Sequence, residues 1–460
     1  MTEPAVTSGA PSDRTLSVLV IGAGGRDHAL CHAFAASPRL GSLHAAPGNA
    51  GIARLGTCHD VALDDLDGMV AVARSLAVDL VVVGPEDLLV AGLASRMHAV
   101  GIRCVGPSEA AAQLEGSKVF SKRLMEHAGV PTPAWRACAS VEEAHAAIAE
   151  FGGAAAVKAD GLAAGCGAYV CLSAEAAHAA VAELMVERRF GASGDTVIVE
   201  QLVDGAEASV MAVVDGTRVV PLPAARDYKR LADGDRGPNT GGMGAHAPST
   251  DLDADAAAEL ARATIQPVVD ALREAGTPFH GVIYAGVMLT ADGPLVLEYN
   301  CRFGNPETQA LVRVLGDVDL LDLLDRAARG VLDAETSVSP VGTAVAVCIA
   351  SANYPTLQLE PAPVGVRGLD AAALVPGVEV FAGFTTAGAT SDELLAGGGR
   401  VVTISAFADD MATAVERAYA AADRIEVDGG RQLRRDIGAT ADSIVISAAT
   451  AGSAGAPTSR

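Results

Sequence analysis

VLVIGAGGRDHAL, residues 18–30, is a run of β-favouring apolar side chains that breaks into glycines and continues in helical character. With its two preceding residues it forms LSVLVIG (16–22), an apolar run of the buried-strand type that enters a glycine turn. The same unit recurs in DLVVVGPE (79–86) and GIRCVGPS (101–108): an apolar run, a Gly-Pro pair, a helix-like segment. Strands alternating with helices predict a doubly wound parallel sheet over residues 15–116. Ligands of such sheets lie beyond the carboxyl ends of the strands, where these glycines fall.

The first glycine turn is not a dinucleotide fingerprint. Gly22 and Gly24 match the opening of GxGxxG, but Asp27 stands where the third glycine belongs, and no acid-terminated strand follows at the usual distance. Two readings stay open. The backbone N–H groups of Gly24 and Gly25 hold a single phosphate at a helix start, or the turn simply needs glycine. The second leaves Arg26 beside them unexplained.

A chain of 460 residues is too long for one core. No apolar run reaches the roughly 18 residues of a membrane span. A net charge of −23 excludes a non-specific nucleic-acid binder. Residues 1–14 lack the apolar core of a secretion signal and are expected to form a disordered leader, with a similar tail at 441–460. Eight cysteines without a CxxC pair then read as reduced thiols in a cytoplasmic protein.

Beyond the first domain the chain divides at expected boundaries of 117–195, 196–330 and 331–440. Ser117 caps a helix closed by Gly129 and Pro131. Strands are predicted at 154–158 and 168–172, a helix over 174–188, three strands between 196 and 222, a polar loop over 225–249, a helix near 253–275, and two strands in GVIYAGVML and LVLEYN. The last part carries strands near 343–349 and 400–407 and a helix over 411–424. The expected class is multidomain α/β and α+β.

Two segments carry chemistry. In VKADGLAAGCG (157–167), Lys158 ends a strand, and Gly161, Gly165 and Gly167 give the freedom of a flap that closes over phosphates. A flexible hairpin is the plainer alternative; a Walker A loop is excluded because GxxxxGK[ST] is absent. In LVLEYNCRFGNPETQ (295–309), Glu298 and Asn300 are two apart, so a strand turns both to one side. Two oxygens on one face suit magnesium held jointly with ATP phosphates. Arg302 continues that face as a bidentate anion contact.

These segments, with APGNAG, QLEGSK, RDYKR, GPNTGGMGA and RRDIG in this order, resemble the phosphoribosylamine–glycine ligase family of the ATP-grasp superfamily from about Val18 to Gly438. The resemblance implies an N-terminal phosphoribosyl-substrate domain, an ATP-grasp lid and large subdomain, and a small C-terminal α/β domain. It implies an ATP-dependent amide-forming ligase of purine synthesis that proceeds through glycyl phosphate, with Mg2+ or Mn2+ and ATP as co-substrate. By the same resemblance Lys118, Lys158 and Gly161, Gly165 and Gly167 contact ATP, Glu200, Gln201, Leu202 and Val203 form the adenine hinge, and Glu207 binds ribose. Glu298 and Asn300 hold the metal. Arg302, Lys158, Asp227 and Lys229 carry the chemistry. Gly24, Gly25, Arg26, Asn49, Gly84, Pro85, Glu86, Asn239, Thr240, Gly241, Gly242, Met243, Gly244, Asn305 and Glu307 face the substrates. The implied partners are small molecules (ATP, a carboxylate and a phosphoribosyl amine), with no nucleic acid and no membrane, in a monomer or homodimer.

The chain departs from the family at Cys166, where the loop carries lysine, at Tyr228 for histidine, at Asn305 for aspartate, and at Asp27 for glutamate. A lysine on the ATP phosphates is worth roughly 3 kcal/mol, which a thiol cannot replace. Arg226 is a candidate to restore the charge. Asn305 removes an acid that could hold a glycine ammonium. Two alternatives follow: a paralogue coupling another carboxylate or amine in a specialised pathway, and a non-catalytic nucleotide-binding protein.

Overall fold

The computed structural model describes residues 14–163, 165–333, 335–355, 363–390 and 392–439. Apart from Arg14, the expected leader and tail lie outside them.

The opening run forms strand β1 (Leu16–Gly22), followed by β2 (Leu40–Pro47), β3 (Thr57–Cys58), β4 (Leu80–Val83) and β5 (Arg103–Val105). They pair in parallel in the order β3-β2-β1-β4-β5, wound outward from β1 in both directions. Val18, Leu19, Val20 and Ile21 are fully buried, which is why the run is apolar at every position rather than at alternate ones. The glycine turn after β1 leads into the helix Gly25–Ala35.

Ser117 caps the helix Lys118–Ala128 by accepting from the Phe120 N–H, and Gly129 closes it at φ 70°. An antiparallel sheet follows, β6 (Trp135–Cys138), β7 (Ala155–Ala159), β8 (Ala168–Cys171) and β9 (Val197–Gln201), in the order β6-β9-β7-β8. With helices Val141–Glu150 and Ala174–Val181 it encloses its own apolar cluster, including Ile148, Val157, Val181 and Val199. The helix expected over 174–188 passes into a π-helical turn at Ala182–Val186.

Strands β10 (Ala206–Asp215) and β11 (Val219–Pro221) begin the next sheet. The segment expected as one polar loop over 225–249 instead holds four short strands: β12 (Arg226–Asp227), β13 (Arg230–Ala232), β14 (Arg236–Asn239) and β15 (Gly244–Ala247). Their side chains are polar because many face a cleft, or small because GAHA of β15 is wholly buried, so neither shows as an apolar strand. The helix Ala254–Glu274 leads to β16 (His280–Thr290) and β17 (Gly293–Asn300), completing the sheet β11-β10-β16-β17. This sheet shares one apolar cluster with the N-terminal sheet, and the Gly106 N–H donates to the His280 carbonyl between them.

The last part adds β18 (Thr343–Ser351), β19 (Val364–Arg367), β20 (Val378–Ala382), β21 (Thr385–Ala387), β22 (Glu393–Ala396) and β23 (Arg400–Ala408); β19 to β22 were not anticipated. Its main sheet runs β12-β15-β18-β23-β20, so two strands of the 225–249 segment belong to it. Through β12 and β15 the C-terminal part reaches the cleft.

Candidate active site

A cleft of about 510 Å³ opens between the glycine loop and β17. Tyr299 points into the core, its hydroxyl donating to the Thr264 carbonyl, so Glu298 and Asn300 on either side of it turn out to the cleft wall. Leu162, Ala163, Gly165 and Gly167 line the opposite side. The loop is rooted on the helix Lys118–Ala128: the Asp160 carboxylate accepts from the Val119 N–H (2.7 Å) and from Ser117 Oγ (3.0 Å).

At one end Glu200 is sandwiched between two buried lysines, 2.7 Å from Lys122 Nζ and 2.6 Å from Lys158 Nζ. Burial would raise the Glu200 carboxyl, but Lys158 and Lys122 hold it down. Burial pulls Lys122 down to about 8 against the attraction of Glu200. Lys118 is likewise lowered by burial, with Glu298 opposing, and its Nζ lies 3.5 Å from the Gly161 carbonyl. Lys122 was missed in the sequence; its spacing of four from Lys118 on one helix face was the available signal. Gln201, Leu202 and Val203 continue the wall beyond Glu200.

In the middle, Lys229 Nζ sits 3.0 Å from Glu207 and 3.6 Å from Glu298. Burial disfavours a Glu298 anion, yet Lys229, Lys158, Lys118 and Arg302 together bring its carboxyl to about 2. Lys229 is pushed well up, Glu207 and Glu298 outweighing burial.

Beyond them lies an acidic pocket. Asp227 Oδ1 is buried without a hydrogen-bond partner. Burial first, and then the neighbouring Glu307, drive the Asp227 carboxyl well above its ordinary value. Glu307, itself buried, accepts from Ser209 Oγ at 3.2 Å, and Ser209 contacts the Tyr284 hydroxyl at 2.9 Å. Asn239, Thr240, Gly241 and Asn305 also line the cleft here. Two neighbouring acids, one with an unpartnered oxygen, are a place where a small cation would offset the burial that disfavours the Asp227 anion.

Arg302 lies between Glu86 (3.2 Å) and Glu115 (3.1 Å). Arg302 and Arg26 overcome burial and lower Glu86 to about 2, whereas burial outweighs Arg302 at Glu115 and raises it to about 7. Glu115 lies in QLEGSK but drew no reading from the sequence.

The first glycine turn is filled by its own chain. The Asp27 carboxylate accepts from the Gly24 N–H at 2.8 Å and packs so closely on Gly22 and Gly84 that a Cβ at Gly84 would lie 1.9 Å from Asp27 Oδ1. The Gly24 N–H is therefore committed, and the phosphate-cradle reading keeps only Gly25 of that pair. Arg26 is buried, donating to the Phe303 carbonyl and to Asp27. Asn49 ties this turn to the C-terminal part by donating to the Ala23 and Ala382 carbonyls (2.9 and 3.0 Å). Gly24, Gly25, Arg26, Asn49, Gly84 and Pro85 cluster at this sheet edge, and Glu86 alone of the set lines the cleft. Gly161 and Gly242 flank the cleft rather than line it. Met243 and Gly244 face away, with Gly244 paired to Val347 and Met243 fully buried.

The departures also find their places. Tyr228 is buried between the guanidiniums of Arg226 (5.6 Å) and Arg434 (5.0 Å), and its hydroxyl accepts from the Gly438 N–H. Arg226 lines the cleft, but it pairs with the buried Asp251 at 3.2 Å, so its charge is already engaged and is not a free replacement for the loop lysine. Asn305 Oδ1 accepts from Gln309 Nε2 at 2.9 Å. Burial raises the Cys166 thiol, against Arg189 and Arg400, so it stays protonated at neutral pH.

Comparison with known proteins gives the family. The chain matches profiles described as phosphoribosylglycinamide synthetase N domain over residues 16–115, ATP-grasp (A) domain over 116–308 and C domain over 344–440. It is 44% identical over 429 residues to a phosphoribosylamine–glycine ligase of Streptomyces coelicolor, covering 93% of this chain and 99% of that one. A ligase of the same name from Brucella melitensis is 44% identical over 423 residues, 92% of this chain and 97% of that one. The crystal structure of the Thermotoga maritima phosphoribosylamine–glycine ligase superposes with a TM-score of 0.78 at 30% identity, covering 92% of this chain and all (100%) of that one. A Campylobacter jejuni biotin carboxylase shares the fold at 16% identity and a TM-score of 0.70, over 93% of this chain and 95% of that one.

Proposed function

Because the chain belongs to the phosphoribosylglycinamide synthetase family, we propose that it joins glycine to 5-phosphoribosylamine at the expense of ATP, giving glycinamide ribonucleotide, ADP and phosphate. The observation that carries this reading is the acidic pocket of Asp227 and Glu307 beside a lysine- and arginine-rich cleft: an anion-binding channel that ends in a receptor for an ammonium is shaped for an amino acid. It also answers the loss of aspartate at Asn305, since the acidic charge is supplied by two other side chains.

A carboxylate is a poor acyl donor. A glycine oxygen attacks the γ-phosphorus of ATP as ADP leaves; the amine then attacks the acyl carbon and phosphate departs. Lys118, Lys158, Gly161, Gly165 and Gly167 serve the phosphates, Glu200 to Val203 the adenine, and Glu207 the ribose. Magnesium or manganese fits the β17 wall: Glu298 is held ionised and Asn300 adds a neutral oxygen two residues on, an all-oxygen pair suited to a hard cation shared with phosphates. Among the described residues no three His, Cys, Asp or Glu side chains form a metal cage of their own, as suits an ion that arrives with the nucleotide. Bound there, the ion would neutralise phosphate charge. Lys229 and Arg302 face the transferring phosphoryl group, and Asp227 and Glu307 orient glycine by its ammonium, with Asn239 to Gly242 and Asn305 around them. Gly25, Arg26, Asn49, Gly84, Pro85 and Glu86 face phosphoribosylamine. Residues 15–116, 117–195, 196–330 and 331–440 correspond to substrate, lid, metal-bearing and C-terminal units.

The test is ADP release from Mg-ATP with freshly generated phosphoribosylamine. Release that requires glycine supports the reading; release only with other carboxylates transfers it to the paralogue, for which Cys166 in the lid and Tyr228 are the remaining arguments.

A further inference from the structure

The Gly241–Gly242 turn beside Asp227 is held from the C-terminal part of the chain. Arg400, the first residue of β23, donates from Nη1 to three carbonyls on two loops, those of Gly241, Gly242 (3.2 Å) and Asn305 (2.8 Å). The Tyr354 hydroxyl accepts from the Gly241 N–H at 3.0 Å. The fit is tight on both sides. A Cβ at Gly241 would come 2.9 Å from the guanidinium, and one at Gly242 (φ 103°) would come 2.7 Å from Asp227 Oδ1 and 2.4 Å from Pro306. The lid rests on the same turn, with a Cβ at Gly165 falling 3.5 Å from the Gly241 Cα. One guanidinium thus fixes the spacing of the two loops that frame the unpartnered carboxylate.

We propose that Arg400, assisted by Tyr354, is a positioning residue for ligation: without touching substrate, it sets the width of the Asp227–Glu307 pocket. The proposal rests on reading that pocket as the amino-acid site. A guanidinium suits the place because its rigid planar head holds Nη1 at a fixed point between the two loops, whereas an ammonium on a flexible stem has no such fixed geometry.

The variants are Arg400→Ala, Arg400→Lys and Tyr354→Phe, each assayed for glycine-dependent ADP release and for Mg-ATP affinity by titration calorimetry. Misplacing a reacting group by a fraction of an ångström to an ångström costs about ten- to a hundredfold. Arg400→Ala is therefore expected to lower kcat/KM for glycine at least about tenfold, with the Mg-ATP Kd within about twofold. Arg400→Lys should fall between it and the wild type. A purely structural role would weaken ATP binding and glycine use together. That pattern, or glycine kinetics within twofold of wild type, overturns the proposal. Should Arg400→Ala fail to fold, Tyr354→Phe decides: selective loss with glycine supports the proposal and unchanged kinetics overturns it. A wild-type chain without glycine-dependent release is a different failure, of the amino-acid reading itself, and is seen before any variant is made; the variants are then read with whichever carboxylate supports turnover.

Discussion

Asp227→Asn should make the protein more stable and a worse ligase. In the free chain Asp227 Oδ1 is buried without a hydrogen-bond partner, facing Glu307. Leaving such an acceptor unsatisfied costs about 1–3 kcal/mol. Asparagine keeps the volume and cannot carry the charge that burial and Glu307 disfavour, so unfolding should cost about 1 kcal/mol more than in the wild type. With substrate bound the sign reverses. A charge-assisted hydrogen bond to the glycine ammonium is worth about 1.5–3 kcal/mol, and its loss lowers kcat/KM for glycine about tenfold to a hundredfold. The Mg-ATP KM should stay within about threefold, because the lysines around Glu200 are untouched. The assays are urea unfolding of the free protein and glycine-dependent ADP release at saturating ATP and phosphoribosylamine. A glycine KM and kcat both within twofold of wild type, or a variant less stable than its parent, would refute the reasoning.

Cys166→Lys returns a cation to the lid. Glycine-dependent turnover should rise by about ten- to a hundredfold, and a variant no faster than the parent sinks the account of that loop. Arg226→Ala should leave ADP release within threefold, because its guanidinium serves Asp251. It should cost roughly 2 kcal/mol in urea unfolding, below the fully buried range because Arg226 keeps 26% of its side chain exposed; abolished turnover would show that Arg226 serves the nucleotide after all. Glu115, raised from 4.5 to about 7 by burial, binds its proton more tightly in the folded chain than in the unfolded one. Its contribution to stability is full below pH 4.5 and is lost as pH rises through 7. Glu115→Gln should therefore flatten the fall in unfolding free energy between pH 5 and about 7.5, and an unaltered slope contradicts the assignment.

The parts legible in the sequence were those whose signal is local. Val18 to Ile21 are apolar at every position because β1 is covered on both faces there, and Glu298 and Asn300 share a face because the pleat repeats every two residues. Segment 225–249 was opaque. Its strands are two to four residues long and face a cleft or pack as Gly and Ala, so period and bulk both fail, and β15, which joins the segment to the C-terminal sheet, finds its partner about a hundred residues further on in β18. Asp27 was visible as a broken fingerprint but not as the group that fills the turn, because its contact with Gly84 is tertiary. Arg400 gave no signal at all: its acceptors are backbone carbonyls of distant loops, which no side-chain pattern records.

The central claim is that the cleft under the glycine lid phosphorylates a carboxylate. Glycine labelled with 18O in both carboxylate oxygens tests it most directly. If ATP activates that carboxylate, one labelled oxygen leaves with the phosphate, and mass spectrometry of the released phosphate finds one 18O per turnover. Glycine-dependent ADP release with unlabelled phosphate would contradict it.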